Sequence, residues 1–197
     1  MTNFEQLDLL FEQNYGIVKT AQVLEHGIAK HVFYAYAKKK GIEQVAHGIY
    51  ISPDAWTDTM YVLHLRCAQG VFSHESALFL HTLTDREPGE YSITVKTGYN
   101  PASLKADGVK VYTIKKELHD VGVIEMNTPF GYTVPVYDAE RTICDIIRSR
   151  SGIEMQTFQD ALKQYAIRKE KDLRKLMHYA QMFGVEKILR QYLEVLL

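Results

Sequence analysis

The stretch 27-GIAKHVFYAYAKKKGIEQVAHGIYI-51 changes its hydrophobic period once, at Gly41. Before that glycine, Val32, Phe33, Tyr36 and Ala37 recur at the three-to-four spacing of one helical face. A helix is therefore predicted over 29–40, with Lys30, His31, Tyr34, Lys38 and Lys39 largely on its other side. Gly41 ends it. After the glycine, Ile42-Glu43-Gln44-Val45 and Ile49-Tyr50-Ile51 are β-prone runs, joined by Ala46-His47-Gly48 with a glycine where a hairpin turn needs one.

Working outward, Thr2 and Glu5 stand at the spacing of a capping box, and Phe4, Leu7, Leu10 and Phe11 then follow helical spacing to about Gln13. Beyond the Asn14-Tyr15-Gly16 turn, Thr20 is the expected cap of a short helix ending near Glu25, and Gly27 permits the chain to reverse. Three helices followed by a hairpin describe a winged helix-turn-helix over residues 1–52. In such a domain the second helix of the motif lies in the major groove of double-stranded DNA, which makes 29–40 the candidate reader. Lys30, His31 and Tyr34, nearest its N-terminus, are placed to meet base edges, and Lys38 and Lys39 to meet phosphates. Lys19 at the start of the second helix and His47 at the wing tip complete the candidate DNA contacts. The competing reading is a helical subdomain whose basic face is merely solvated.

Ser52-Pro53-Asp54 reads as a junction and a helix start, opening a second domain over 53–197. Trp56, Met60, Leu63 and Cys67 share a helical stripe, and Ser73 is placed to cap a second apolar helix. From Pro88 onward the period becomes that of strands, at 91–95, 109–114, 121–124 and 132–136, which predicts one small sheet. The chain turns helical again at Asp138, where Ile143, Ile146 and Ile147 share a face, and about three more helices follow. The expected class is α+β, a winged domain followed by a mixed α/β domain with a small sheet and C-terminal helices.

Composition sets the outer bounds. The chain has 197 residues, 46% hydrophobic and 11% aromatic, enough to bury a core in one domain or two small ones. Its apolar runs fall far short of the roughly 20 residues that span a bilayer, and the acidic start MTNFEQ is not a basic signal sequence, so a cytoplasmic protein without membrane contact is expected. The net charge of −1 hides an uneven distribution: residues 19–51 hold 5 Lys against Glu25 and Glu43, while residues 163–197 hold 8 basic and 4 acidic groups. Cys67 and Cys144 stand alone in apolar surroundings, which suggests buried thiols rather than a disulfide or a zinc site.

Chemistry-bearing patterns are sparse. His64, His74, Glu75 and His81 cluster in sequence, but Leu78 stands where a zincin helix needs its second histidine, so no metal site is assigned. Asp138 is placed to cap a helix and Arg141 to pair with Asp145 four residues on; a nuclease using those carboxylates for Mg²⁺ is the less favoured reading. Phosphate-loop, dinucleotide and nucleophile-elbow signatures do not occur. Neither a cofactor nor an enzymatic activity is expected.

The order of these pieces resembles the AbiEi family of antitoxins and transcriptional regulators from bacterial type IV toxin–antitoxin, or abortive-infection, systems. The resemblance runs over nearly the full chain and is carried by the N-terminal domain ending in Gly48-Ile49-Tyr50, the segment 70-GVFSHESALFLH-81, the strand Ser92-Ile93-Thr94-Val95, and 138-DAERTICD-145. It implies a repressor that binds inverted repeats in its own promoter and opposes a nucleotidyltransferase-like toxin without a stable complex, in the service of phage defence. The family's DNA-reading helix maps onto 29–40, and the family supplies no catalytic residues. The winged region is less basic than that family suggests, so two copies binding cooperatively on an inverted repeat are expected to supply the affinity. A metal-dependent nuclease, or a protein- or RNA-binding module, is the alternative function.

Overall fold

The computed structural model describes residues 1–196, which form a mixed α+β fold in two compact units, Met1–Ala68 and Gln69–Leu197, of which Leu197 itself lies outside the described residues.

The first unit opens with α1 (Asn3–Gln13), whose N-terminus is closed reciprocally: the Glu5 amide donates to Thr2 Oγ1 at 3.3 Å and the Thr2 amide to Glu5 Oε2 at 2.8 Å. Strand β1 (Ile17–Lys19) leads directly into α2 (Thr20–Glu25), followed by α3 (Lys30–Lys40) and the hairpin of β2 (Glu43–Ala46) and β3 (Ile49–Ile51). The sheet order is β1-β3-β2, all antiparallel. No strand is expected at β1 from the sequence, because three residues are too short a run to show strand alternation; Ile17 and Val18 are both buried. Thr20 is the first helical residue rather than the cap; the Lys19 amide is satisfied by Gln22 Oε1 at 2.8 Å. Leu7, Phe11, Val23, Ile28, Phe33 and Tyr36 close the core between the three helices and the sheet. Gly41 takes φ +68, the left-handed conformation that ends α3.

Pro53 does not start a helix. α4 (Thr59–Arg66) begins six residues later, capped by Asp58, whose Oδ1 accepts from the Tyr61 amide at 3.1 Å. Trp56 precedes that helix and is 78% exposed, so it leaves the expected stripe, whereas Met60, Leu63 and Cys67 are buried. α4 lies against β2 and β3, and the compact unit that holds them runs to Ala68.

In the second unit, β4 (Val71–Phe72), α5 (His74–Leu80), β5 (Ser92–Lys96), α6 (Ala102–Ala106), β6 (Lys110–Ile114), α7 (Lys116–His119), β7 (Val123–Asn127) and β8 (Thr133–Tyr137) build a five-stranded sheet of order β6-β5-β4-β8-β7. β5 and β6 are parallel, as are β4 and β8; β4–β5 and β7–β8 are antiparallel. α8 (Ala139–Arg148), α9 (Met155–Ile167), α10 (Leu173–Met182) and α11 (Glu186–Leu196) follow, and Leu78, Ile143, Ile147, Phe158, Leu176 and Leu189 share their core. Ser73 precedes α5 without capping it through its side chain, because its hydroxyl accepts from Thr94 Oγ1 at 2.8 Å. Among the described residues, no helix is long and apolar enough to cross a membrane.

Candidate nucleic-acid interface

Along α3 the exposed and buried residues separate by azimuth. Phe33, Tyr36 and Ala37 face the core, while Lys30, Tyr34 and Lys38, four apart, form one exposed stripe bordered by His31. At 3.6 residues per turn, the consecutive lysines 38, 39 and 40 point about 100° apart. Lys38 stays with the stripe. Lys39 turns toward α1, its ammonium 5.4 Å from the centre of the Phe4 ring. Lys40 goes further round, 2.8 Å from Asp8 Oδ1, which also accepts from the Tyr36 hydroxyl at 2.8 Å. The Lys40 and then the Tyr36 hydrogen bond hold the Asp8 carboxyl below its usual range. Lys39 is thus separated from the four residues with which the sequence grouped it.

Tyr34 is 48% exposed, so half of its surface is available to a ligand and the other half is used internally. Its ring lies 6.4 Å from Tyr50, which meets Phe33 edge-on at 4.8 Å. Burial, and then the Tyr34 hydroxyl beside it, push the Tyr50 phenol up. Tyr50 in turn donates to Gln44 Oε1 at 3.3 Å, and Gln44 Nε2 donates to the Ala46 carbonyl at 3.1 Å. A polar chain therefore runs from the exposed face of α3 into the hairpin. Sequence reasoning assigned Tyr34 but missed Tyr50 and Gln44, whose contribution depends on a strand register it could not see.

Lys19 and His47 come together at one end of the three-stranded sheet. Lys19 pairs with Ile49, and the Thr20 amide donates to the Gly48 carbonyl at 2.8 Å, which docks the turn on the start of α2. His47 is exposed at that turn and Lys19 is half-buried.

The polar groups around Asp138 and Asp145 are spent on holding α8. Asp138 Oδ1 accepts from the Arg141 amide at 2.8 Å. Arg141, fully buried, donates Nε to Asp145 Oδ2 at 2.9 Å and Nη1 to the Leu118 and Val121 carbonyls, both at 2.9 Å. Its guanidinium lies between the Tyr137 and Phe183 rings, at 4.1 and 3.9 Å. Burial pushes the Asp145 carboxyl up against the pull of Arg141 and Arg148. Burial also opposes the charge on Glu140, yet Lys175 at 2.7 Å and the Asp172 amide hold its carboxyl below the usual range. Asp138 and Asp145 are thus engaged by cations and amides of their own chain, which gives a Mg²⁺-nuclease reading no support from geometry.

The histidines that cluster in sequence fall on different elements. His64 is in α4 of the first unit; His74 opens α5 and His81 ends it. His74 is fully buried, its ring stacked 3.5 Å from Tyr112, with nitrogens 3.0 Å from Ser73 Oγ and 3.1 Å from Ser149 Oγ. Burial first, then Arg148, Arg141 and Lys110, lower its pKa well below the usual imidazole value. Both thiols are buried, and Cys144 is pushed up to about 12 by burial. Among the described residues, no three His, Cys, Asp or Glu side chains group as a metal site would require.

No protein-family model and no curated protein matches this chain. Among solved structures, it is similar to the RV2827C protein from Mycobacterium tuberculosis, with a TM-score of 0.60 at 14% identity, over 98% of this chain and 82% of that one. At that identity the likeness concerns the fold alone.

Proposed function

We propose that residues 1–52 act as a winged helix-turn-helix that binds inverted repeats in the promoter of its own operon, and that the chain is the antitoxin and autorepressor of a type IV toxin–antitoxin system of the AbiEi kind. The observation that carries this reading is the exposed stripe of Lys30, Tyr34 and Lys38 with His31 beside it, on a helix tied to the hairpin through Tyr50. A cationic and aromatic face on a helix of this width matches what a DNA major groove admits and what its base edges and phosphates bind. Lys19 and His47, at the hairpin end of the sheet, extend the contact to neighbouring backbone. Two copies on an inverted repeat supply affinity that one modestly charged face lacks. The second unit serves neutralisation of a nucleotidyltransferase-like toxin without forming a stable complex with it. Both proteins work in the cytoplasm, and the chain itself performs no catalysis.

The test is binding to the duplex just upstream of the gene, against a scrambled duplex of equal length, across a salt series. Tighter binding to the upstream duplex is expected, with log affinity falling linearly as log salt rises. Lys30→Ala and Tyr34→Ala should weaken the upstream duplex more than the scrambled one. Lys39→Ala, set off toward α1, should weaken both slightly and alike. Equal weak binding to both duplexes in the unaltered protein overturns the reading.

A further inference from the structure

The edge of the second sheet where β5 and β6 end carries a crevice that the proposed function does not use. These strands are parallel and in register, Lys96 opposite Ile114, so their C-terminal ends open on the same side. β4 runs antiparallel to β5, which brings Gln69, just before it, to that edge as well. The crevice has a volume of about 530 Å³ and is lined by Gln69, Lys96, Thr97, Tyr99, Asn100 and Lys116, with Gly98 at its rim.

The walls are fixed. The Thr97 amide and hydroxyl both donate to the Ile114 carbonyl, at 2.8 and 2.9 Å, and the Tyr99 amide closes a turn on the Lys96 carbonyl at 3.2 Å. Gly98 has φ +100, where only glycine is comfortable, and a Cβ there would meet nothing within 4 Å, so conformation rather than crowding selects it. Asn100 Oδ1 accepts from the Ala102 amide at 3.1 Å, which leaves its amide nitrogen to donate.

The chemistry of the lining is one-sided. It holds two ammonium groups and two side-chain amides and no carboxylate, whereas two other crevices of this unit are lined by Glu75 and Glu154, or by Asp85 and Asp160. Lys116 makes no ion pair among the described residues. Lys96 meets Asp120 at 3.3 Å, an exposed pair of little strength whose carboxylate is also 2.7 Å from His119 Nδ1. Lys116 is therefore available to an anion with several acceptor oxygens, and Lys96 joins it by exchanging Asp120 for that anion. Tyr99 adds aromatic surface of the kind on which a nucleobase stacks, and the volume exceeds what a lone phosphate fills.

We propose that this crevice binds a nucleoside phosphate, with its phosphates on Lys96 and Lys116 and its base against Tyr99. The site is independent of the DNA-binding reading. The experiment is calorimetric titration of the full chain with ATP, pyrophosphate and adenosine, in unaltered protein and in Lys96→Met, Lys116→Met and Tyr99→Ala variants whose melting temperatures are checked first. ATP should bind, pyrophosphate more weakly and adenosine not detectably; each lysine change should cost roughly tenfold, the value of about one charge-assisted hydrogen bond. A Lys163→Met change, on an exposed lysine of α9, should leave ATP binding unaltered. Absence of ATP binding at millimolar concentration overturns the proposal, as does ATP binding that survives loss of both lysines. Pyrophosphate binding as tightly as ATP, or indifference to Tyr99→Ala, overturns the nucleoside part.

Discussion

Replacing Arg141 by leucine tests whether the buried network around α8 is as demanding as its geometry implies. Leucine keeps much of the apolar stem but removes the guanidinium, so the fully buried Asp145 loses its 2.9 Å partner and the Leu118 and Val121 carbonyls lose their donor. Stranding one half of a buried ion pair costs about 3–5 kcal/mol, and Arg148, 3.4 Å from Asp145 Oδ1, keeps this loss toward the lower end. Each orphaned carbonyl adds about 1–3 kcal/mol where water does not replace the donor. That total is a large share of the roughly 5–15 kcal/mol by which domains are stable. The loss should also depend on pH. Without Arg141 the Asp145 carboxyl, already pushed up by burial, rises further above its unfolded value. Between those two values the folded state binds more protons than the unfolded state, so the variant regains stability as pH falls, by at most about 1.4 kcal/mol per pH unit. Urea unfolding followed by circular dichroism at pH 7 and pH 5 should show a deficit that narrows on acidification. Changing Asp145→Leu in the same chain should recover part of it at pH 7. A deficit below about 1 kcal/mol, or one that neither acid nor the second change relieves, would refute the reasoning.

Two other positions, one buried and one in a tight turn, make comparable demands. His74, whose folded pKa lies well below its unfolded value, takes a proton more readily when unfolded, so it costs stability as pH falls through about 6.5. His74→Phe keeps a ring on Tyr112 while removing that titration, and its melting temperature should fall less than that of the unaltered protein between pH 7 and 5. Gly16 sits at φ +81, where a Cβ would stand 2.5 Å from Ala55 Cβ and 2.6 Å from Ser52 Oγ; Gly16→Ala should cost about 1–3 kcal/mol in chemical unfolding, and a neutral result would show that the 52–55 segment yields.

The parts of the fold legible in sequence were those set by near-neighbour chemistry. The Thr2 and Glu5 capping box, the apolar face of α3 with Gly41 behind it, the turn at Gly48, the Asp138 cap and the Arg141–Asp145 spacing each depend on residues within a few positions of one another. β1 and β4 were illegible because they are three and two residues long and exist only through pairing with β3, β5 and β8. Ser52-Pro53 carries the chemistry of a helix start, yet the chain there runs on without one until Asp58 supplies the cap. Of the candidate interface, the charges could be read but their directions only in part: periodicity kept Lys38 with Tyr34, while the deflection of Lys39 and Lys40 toward α1 needed Phe4 and Asp8 in place. Tyr50 reads as one more apolar strand residue until its ring is seen against Tyr34.

The contact between Tyr34 and Tyr50 also bears on how such a face changes over generations. Because one side of Tyr34 rests on Tyr50, and Tyr50 leans on Gln44, a replacement at 34 alters the packing of the hairpin as well as the face presented outward. Positions 34, 44 and 50 are thereby coupled: a change at one alters what the other two pack against. A change at Tyr34 is thus tied to β2 and β3, whereas Lys30 and Lys38, with no such contact among the described residues, can be exchanged one at a time.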